Sequence, residues 1–277
     1  MNTALAGLLS ALTYGTADFL AGLASRHDPA LRVIALTHPL AALFLLALAL
    51  SLGQPIPALE SLLWGAGAGL MGLLALLAFL QALAIGPMGA VSVTAGALSA
   101  LVPVGVGLVQ GETLSLLGWV GAACVLLGTL WLTLSPHGQH AEKHSSGMLL
   151  GILAGLGFGF FFVLLGQVQD SSGNLWTLAA ARISSSLVAL PLTLWTVGLQ
   201  PRNLKLILAS APGDTLGNLF YLLAVQGGGL ALSGLLTSLY PAVTTMLAVL
   251  VLREHLRGRQ WAGMIVALTG AALLATS

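Results

Sequence analysis

The chain has 277 residues, of which 57% are apolar and only 6% charged, with a formal net charge of +1 and a mean hydropathy of +1.00. Soluble domains carry roughly 25% charged residues, so this composition excludes an ordinary solvated surface. A net charge near zero without a basic run also argues against a nucleic-acid partner.

A bilayer core takes about 20 apolar residues per helical pass, and apolar runs between turn signals predict ten passes. In chain order these are about 3–23, 31–52, 61–84, 90–109, 115–134, 148–168, 174–197, 205–225, 231–251 and 259–276. The breaks fall at Arg26 to Pro29, Gly53-Gln54-Pro55, Gly86-Pro87, Gly111-Glu112, Asp170 to Gly173, Gln200-Pro201, Gly227 to Gly229 and Arg253 to Arg259. The fold expected is an all-α membrane protein with no room for a sizeable soluble domain. Lipid-facing β-strands would alternate over about 10 residues instead. Met1-Asn2-Thr3 lacks the positive region of a cleavable leader, so the first apolar run is expected to be a retained helix. Cys124, the one cysteine, lies in an apolar run and is expected to pack as a small hydrophobe.

A polar stretch divides the chain into residues 1–135, a linker 136–147 and residues 148–277, and the two long segments repeat one another. Gly111-Glu112, Trp119, Gly121 and Gly128 recur 142 residues later as Arg253-Glu254, Trp261, Gly263 and Gly270. Gly15 meets Gly159 and His38 meets Arg182, both at a spacing of 144. Five helices per copy is an odd number, so the second copy enters the membrane from the opposite side. Inverted repeats of this kind characterise secondary transporters, with the substrate near the midplane between the copies. Small-residue stripes at Gly65/Gly69/Gly72, Gly118/Gly121 and Gly151/Gly155/Gly159 predict close helix–helix approach.

On these residues the chain resembles the drug/metabolite transporter superfamily in its ten-helix form with two EamA domains. Most specific are Pro241, Arg253-Glu254-His255-Leu256, Trp261-Ala262-Gly263 and Leu268-Thr269-Gly270. The first half carries Gly111-Glu112-Thr113-Leu114, Trp119-Val120-Gly121 and Leu127-Gly128, and Tyr14-Gly15 with Asp18-Phe19 also fits. Two departures stand out: Ser99 aligns with Pro241, and Arg253 replaces the usual glycine before Glu254. The resemblance implies a secondary transporter or exporter of small metabolites, amino acids or drugs, with no cofactor.

A charge at bilayer depth costs a few kcal/mol, so it is kept where it is paired or lines a watery path. Asp214, Asn218 and Tyr221 share one helical face at i, i+4 and i+7. Asp214 either serves as a cation or proton site or pairs with Arg182. Tyr14 and Asp18 stack in the first helix, where Asp18 either faces the cavity or pairs with Arg26 or Arg32. His38 precedes Pro39, and its ordinary pKa suits proton relay; a structural role is an equal alternative. Gln81 is a further candidate. The substrate-binding set is therefore Tyr14, Asp18, His38, Gln81, Arg182, Asp214, Asn218 and Tyr221, with no metal, and the expected drive is a gradient of either protons, the proton then being the coupling ion, or substrate. Arg182 is the expected partner of an anionic substrate or carboxylate.

Glu112 and Glu254 sit at equivalent helix junctions, where capping or gating is expected. His137, His140 and His144 have metal-ligand spacing but no completing carboxylate or cysteine, which favours a solvated linker. A membrane enzyme would want a G-x-S-x-G elbow, and an ATP-driven pump a G-x-x-x-x-G-K-[ST] loop; the sequence contains neither. A non-transporting scaffold has no evident use for buried charges in an inverted repeat. The fifth and tenth helices are expected to support packing or a homodimer contact, and the cell membrane is the expected location. Arg26, Arg32, Lys143, Arg202, Lys205, Arg253, Arg257 and Arg259 all fall in or beside loops after odd-numbered helices. The positive-inside rule makes those loops cytoplasmic and both termini external, whereas the family resemblance implies cytoplasmic termini.

Overall fold

The structure, a computed structural model, describes residues 3–109, 115–134, 141–167, 174–237, 239–254 and 258–275. Among them are ten α-helices and no strand: α1 (Thr3–Ser25), α2 (Ala30–Ser51), α3 (Leu59–Ile85), α4 (Met88–Val109), α5 (Leu116–Leu134), α6 (Ala141–Gly166), α7 (Asn174–Thr196), α8 (Leu204–Thr237), α9 (Tyr240–Leu252) and α10 (Gly258–Ala275). α1, α2, α3, α6 and α7 are each long and apolar enough to cross a bilayer, and α4, α5, α9 and α10 contribute shorter apolar stretches. Exposed leucines such as Leu43, Leu50, Leu63, Leu187 and Leu194 stud the outer surface. That surface suits hydrocarbon, because a protein in water rarely exposes apolar patches of this extent.

Two boundaries differ from the sequence reading, each for a physical reason. The run Gly227 to Gly229 does not end a helix; α8 continues through it to Thr237. Inside a bilayer a broken helix strands backbone N–H and C=O groups without water, so even a weak helix-forming run stays wound. The break falls instead just before Pro241, which sits in the first turn of α9, where its missing N–H costs nothing. α6 starts at Ala141, so part of the expected linker, including His144, is helical. His137, His140, Glu112 and Asp170 lie outside the described residues.

The two copies are interleaved. α1 packs on α8 and its counterpart α6 on α3; α1 packs on α9 and α6 on α4. The pairs α2–α7, α4–α9 and α5–α10 join equivalent helices across an internal two-fold axis. Their bonds prove the inversion. Arg32 Nε donates to the Gly198 carbonyl at 2.8 Å, and Trp176 Nε1 donates to the Gln54 carbonyl at 3.0 Å. Residues 32 and 176, and 54 and 198, are equivalents at the 144 spacing, so one contact is made twice, at opposite ends of an antiparallel α2–α7 pair. Likewise a Cβ on Gly128 would lie 2.7 Å from the Gly263 carbonyl oxygen, and one on Gly270 2.7 Å from that of Gly121. Each half thus repeats the other's packing at a spacing of 142.

Helix four and helix nine are offset slightly from the sequence alignment. Gly15 abuts the Tyr240 carbonyl and Val243, while its equivalent Gly159 abuts the Ser99 carbonyl and Val102. Packing therefore sets Ser99 opposite Tyr240, one residue from Pro241. Arg253, where the family resemblance calls for glycine, has φ 51°. That is the left-handed region glycine occupies without strain and other residues at roughly 1–2 kcal/mol.

At one membrane face the junctions are ionic. Arg32 pairs with buried Asp28 at 2.8 Å, and the Asp28 carboxylate also accepts the backbone N–H of Arg202 and of Asn203 at the start of α8. Burial opposes ionisation of Asp28, but the Arg202 N–H, the Arg32 guanidinium and the Asn203 N–H outweigh it and hold the carboxyl below the usual range. A folded-state pKa below the unfolded one stabilises the protein above the unfolded pKa and is lost as pH falls through the folded value. Asp28→Asn is accordingly expected to lower the melting temperature at neutral pH, with the gap to wild type closing below about pH 4, the ordinary aspartate range. Thermal unfolding of detergent-solubilised protein across pH checks this; a gap that does not change with pH would refute it. Nearby, Glu254 accepts the N–H groups of Gly89 and Met88 at the start of α4. Burial pushes its carboxyl up, against the Arg26 charge and those two donors.

Arg26, Arg32 and Arg202 gather on this same face around an open depression. With loops after odd-numbered helices cytoplasmic, a C-terminal reporter that fluoresces only in the cytoplasm is expected to stay dark, and one active only outside to report. A fluorescent cytoplasmic fusion reverses the orientation.

Candidate functional site

The site begins with Pro39 inside α2 and the serine run Ser184 to Ser186 in α7. Proline removes a helical donor, and serines can return their hydroxyl to the preceding turn. Ser185 Oγ donates to the Arg182 carbonyl at 3.0 Å and Ser186 Oγ to the same oxygen at 2.6 Å. The Arg182 side chain then reaches across to α2 and α8. Its Nη2 lies 2.7 Å from Asp214 Oδ2, and its Nη1 lies 3.0 Å from His38 Nε2.

This geometry fixes the state of His38. An arginine nitrogen can only donate, so His38 Nε2 is the acceptor and carries no proton. The proton then sits on Nδ1, which donates to Ser185 Oγ at 2.7 Å. His38 is thus a neutral histidine in a closed chain running Asp214, Arg182, His38, Ser185 and back to the Arg182 backbone. Positions 38 and 182 are equivalents of the two copies, so the bond between them lies across the internal two-fold axis, near the middle of α2 and of α7.

Close approach of α1 to α8 completes the cluster. A Cβ on Gly213 would lie 2.8 Å from the Thr13 carbonyl oxygen, and one on Gly217 2.7 Å from the Tyr14 ring. Ser10 Oγ donates to the Gly217 carbonyl at 2.8 Å. Tyr14 is thereby held where the charges of Asp214, Arg182 and Asp18 and the Tyr221 hydroxyl all act on it. The ring of Tyr240, from α9, stands 6.3 Å from that of Tyr14 at an interplanar angle of 59°, and Asp18 acts on Tyr240 as well.

Seven of the eight expected site residues are gathered here or beside it: Tyr14, Asp18, His38, Arg182, Asp214, Asn218 and Tyr221. Asn218 is buried and spends its Nδ2 on the Asp214 backbone carbonyl at 2.9 Å, so it shapes α8 locally. Asp18 is half-buried and pairs with neither Arg26 nor Arg32; Arg32 is held by Asp28. Gln81 is exposed on the same outer face of α3 as Leu63, Leu70 and Leu74 and stands apart from the cluster. Sequence reasoning missed Ser185, Tyr240 and Gly217. The signals were present: Ser185 is i+3 from Arg182 and Gly217 is i+3 from Asp214, the helical spacing of one face. Nothing in the sequence pairs Tyr240 with Tyr14. Among the described residues no cluster of histidine, cysteine, aspartate and glutamate could hold a metal ion.

Comparison with known proteins agrees with this architecture. One solved crystal structure, described only as that of a protein, superimposes with a TM-score of 0.66 at 18% identity, covering 98% of this chain and 96% of the other. At that identity the likeness concerns the fold alone. No curated protein matches the chain. The EamA-like transporter family matches it twice, over residues 1–134 and 145–276. With two family matches spanning an interleaved ten-helix bundle, the chain is a multi-pass membrane protein belonging to the EamA-like transporter family.

Proposed function

We propose that the protein is a secondary transporter that exports or exchanges a small metabolite, amino acid or drug across the cell membrane by alternating access. The observation that carries this reading is the hydrogen-bonded chain Asp214–Arg182–His38, whose Arg182–His38 link joins equivalent helices of the two inverted copies. Charges at membrane depth are kept for substrate and ion pathways, and a site between inverted repeats can face either side as one repeat rocks against the other. The proton is the proposed coupling ion, with Asp214 and Asp18 as the carboxylates placed to carry it.

The test is transport in sealed proteoliposomes, after a growth screen of an overexpressing strain against toxic amino acids, purines and drugs supplies a substrate. Asp214→Asn is expected to abolish accumulation driven by an imposed proton gradient while sparing substrate-for-substrate exchange. Full gradient-driven accumulation in both Asp214→Asn and Asp18→Asn would refute carboxylate coupling, and no substrate movement by the wild type would refute transport.

A further inference from the structure

Where the α1–α2 junction meets the α7–α8 junction, the open depression of about 960 Å³ holds more cations than the fold uses. Three arginines line it, Arg26, Arg32 and Arg202, against one carboxylate, Asp28. Arg32 is fully bonded: Nη1 donates to Asp28 at 2.8 Å, Nε to the Gly198 carbonyl at 2.8 Å and Nη2 to the Val197 carbonyl. It neutralises Asp28, which also accepts the backbone N–H groups of Arg202 and Asn203. Arg26 and Arg202 are exposed, and neither side chain has an ion pair among the described residues. Glu254, just beyond α9, feels the Arg26 charge without an ion-pair contact and is itself bonded to the Met88 and Gly89 N–H groups. Even with Glu254 included, cations outnumber carboxylates.

Packing does not require this surplus. The symmetric contact at the other end of the α2–α7 pair is made by Trp176 on the Gln54 carbonyl, and the equivalents of Arg26 and Arg202 at the 144 spacing are Asp170 and Ala58. The surplus therefore marks one membrane face. The surface adjoining it is apolar: Leu194 and Trp195, 63% and 90% exposed, end α7 just before Val197, and Leu204 and Leu208 are exposed at the start of α8. Tryptophan at a membrane interface sits at headgroup level, and guanidinium groups offer a phosphate paired N–H donors. We propose that this depression binds the headgroup phosphate of an anionic phospholipid, held by Arg26 and Arg202, with the acyl chains along the exposed end of α7 at Trp195. Basic pockets between membrane helices on the cytoplasmic side hold such headgroups. A zwitterionic lipid binds less well, because its own cation meets the arginines. Binding there needs no transport.

Three probes separate the cases: dihexanoyl phosphatidylglycerol, dihexanoyl phosphatidylcholine and inorganic phosphate. The full-length protein in detergent is titrated with each, following thermal protection. Phosphatidylglycerol is expected to protect at about tenfold lower concentration than phosphatidylcholine, given two arginines beside an anionic lipid, and phosphate not to protect in that range. Arg26→Gln/Arg202→Gln should abolish the preference between the two lipids. It leaves the Arg32–Asp28 pair and the Arg202 backbone N–H bond in place, so the lipid-free melting temperature should stay at the wild-type value. A second measurement needs no arginine variant. In phosphatidylcholine nanodiscs doped with brominated phosphatidylglycerol or equally brominated phosphatidylcholine, the anionic lipid should quench tryptophan fluorescence more, and Trp195→Phe should remove the difference. No protection by phosphatidylglycerol, equal protection by the two lipids, or a preference undiminished in the arginine variant would each overturn the proposal. So would equal quenching by the two brominated lipids, or a quenching difference that persists in Trp195→Phe. Protection by inorganic phosphate in the same range, lost in the arginine variant, would make this a site for free phosphate and overturn the lipid assignment.

Discussion

Asp214→Ala is expected to destabilise the protein more than Arg182→Ala, and the double substitution Arg182→Ala/Asp214→Ala less than either. Breaking a buried ion pair by removing one partner costs about 3–5 kcal/mol, because the other charge is left uncompensated. Here the lower end applies, since the Asp214 side chain is 34% exposed and water screens part of the loss. The asymmetry between the single variants follows from chemistry. A stranded carboxylate can take up a proton and become neutral, whereas a guanidinium stays charged. His38 gives Arg182 a hydrogen-bond acceptor but no counter-charge. Unfolding in detergent with increasing denaturant gives the ranking. If the double variant is as unstable as Asp214→Ala, stranded charge is not the cause. Transport by the same variants separates structure from recognition: a double variant that folds and transports would make the pair purely structural.

Gly69→Val should be the most damaging substitution at a residue bearing no functional group. A Cβ at Gly69 would overlap the Ala181 carbonyl oxygen and come 2.5 Å from Ser184 Oγ. That Oγ also donates to the Ala66 carbonyl at 2.8 Å, pinning the two helices together. The obstacle is backbone, which no rotamer change can relieve, so α3 and α7 must separate. Overpacking costs typically 1–3 kcal/mol and occasionally more, and two branched methyls against a carbonyl place this variant at about 3 kcal/mol or above. Separation would also move Arg182, adjacent to Ala181, away from His38. Thermal stability and exchange transport should therefore fall together. Gly67→Val is the control, as nothing lies within 4 Å of a Cβ there; equal damage from both would show that helix propensity, not contact, is responsible.

The sequence alone determined the class, the helix count and the inversion. Each followed from a property that one chain carries locally. Hydropathy over about 20 residues reports burial in lipid, and an odd-numbered repeat must invert. The ionisable candidates were equally legible, because a charge inside an apolar helix is rare enough to mark its own position. Gln81 misled because polarity alone does not tell an inward face from an outward one. Gly227 to Gly229 misled because glycine breaks helices readily in water but not where backbone groups have no other partner.

What only the tertiary structure decided is who meets whom. The interleaving of the copies is set by close-approach glycines such as Gly69, Gly155 and Gly217, whose partners lie on helices far away in sequence. That packing realises the Arg182–Asp214 pair over the alternative of an unpaired Asp214, makes His38 an acceptor, and leaves Asp18 paired with neither Arg26 nor Arg32. Charge balance is a sum over neighbours in space, and a linear sequence supplies the terms without saying which of them are added together.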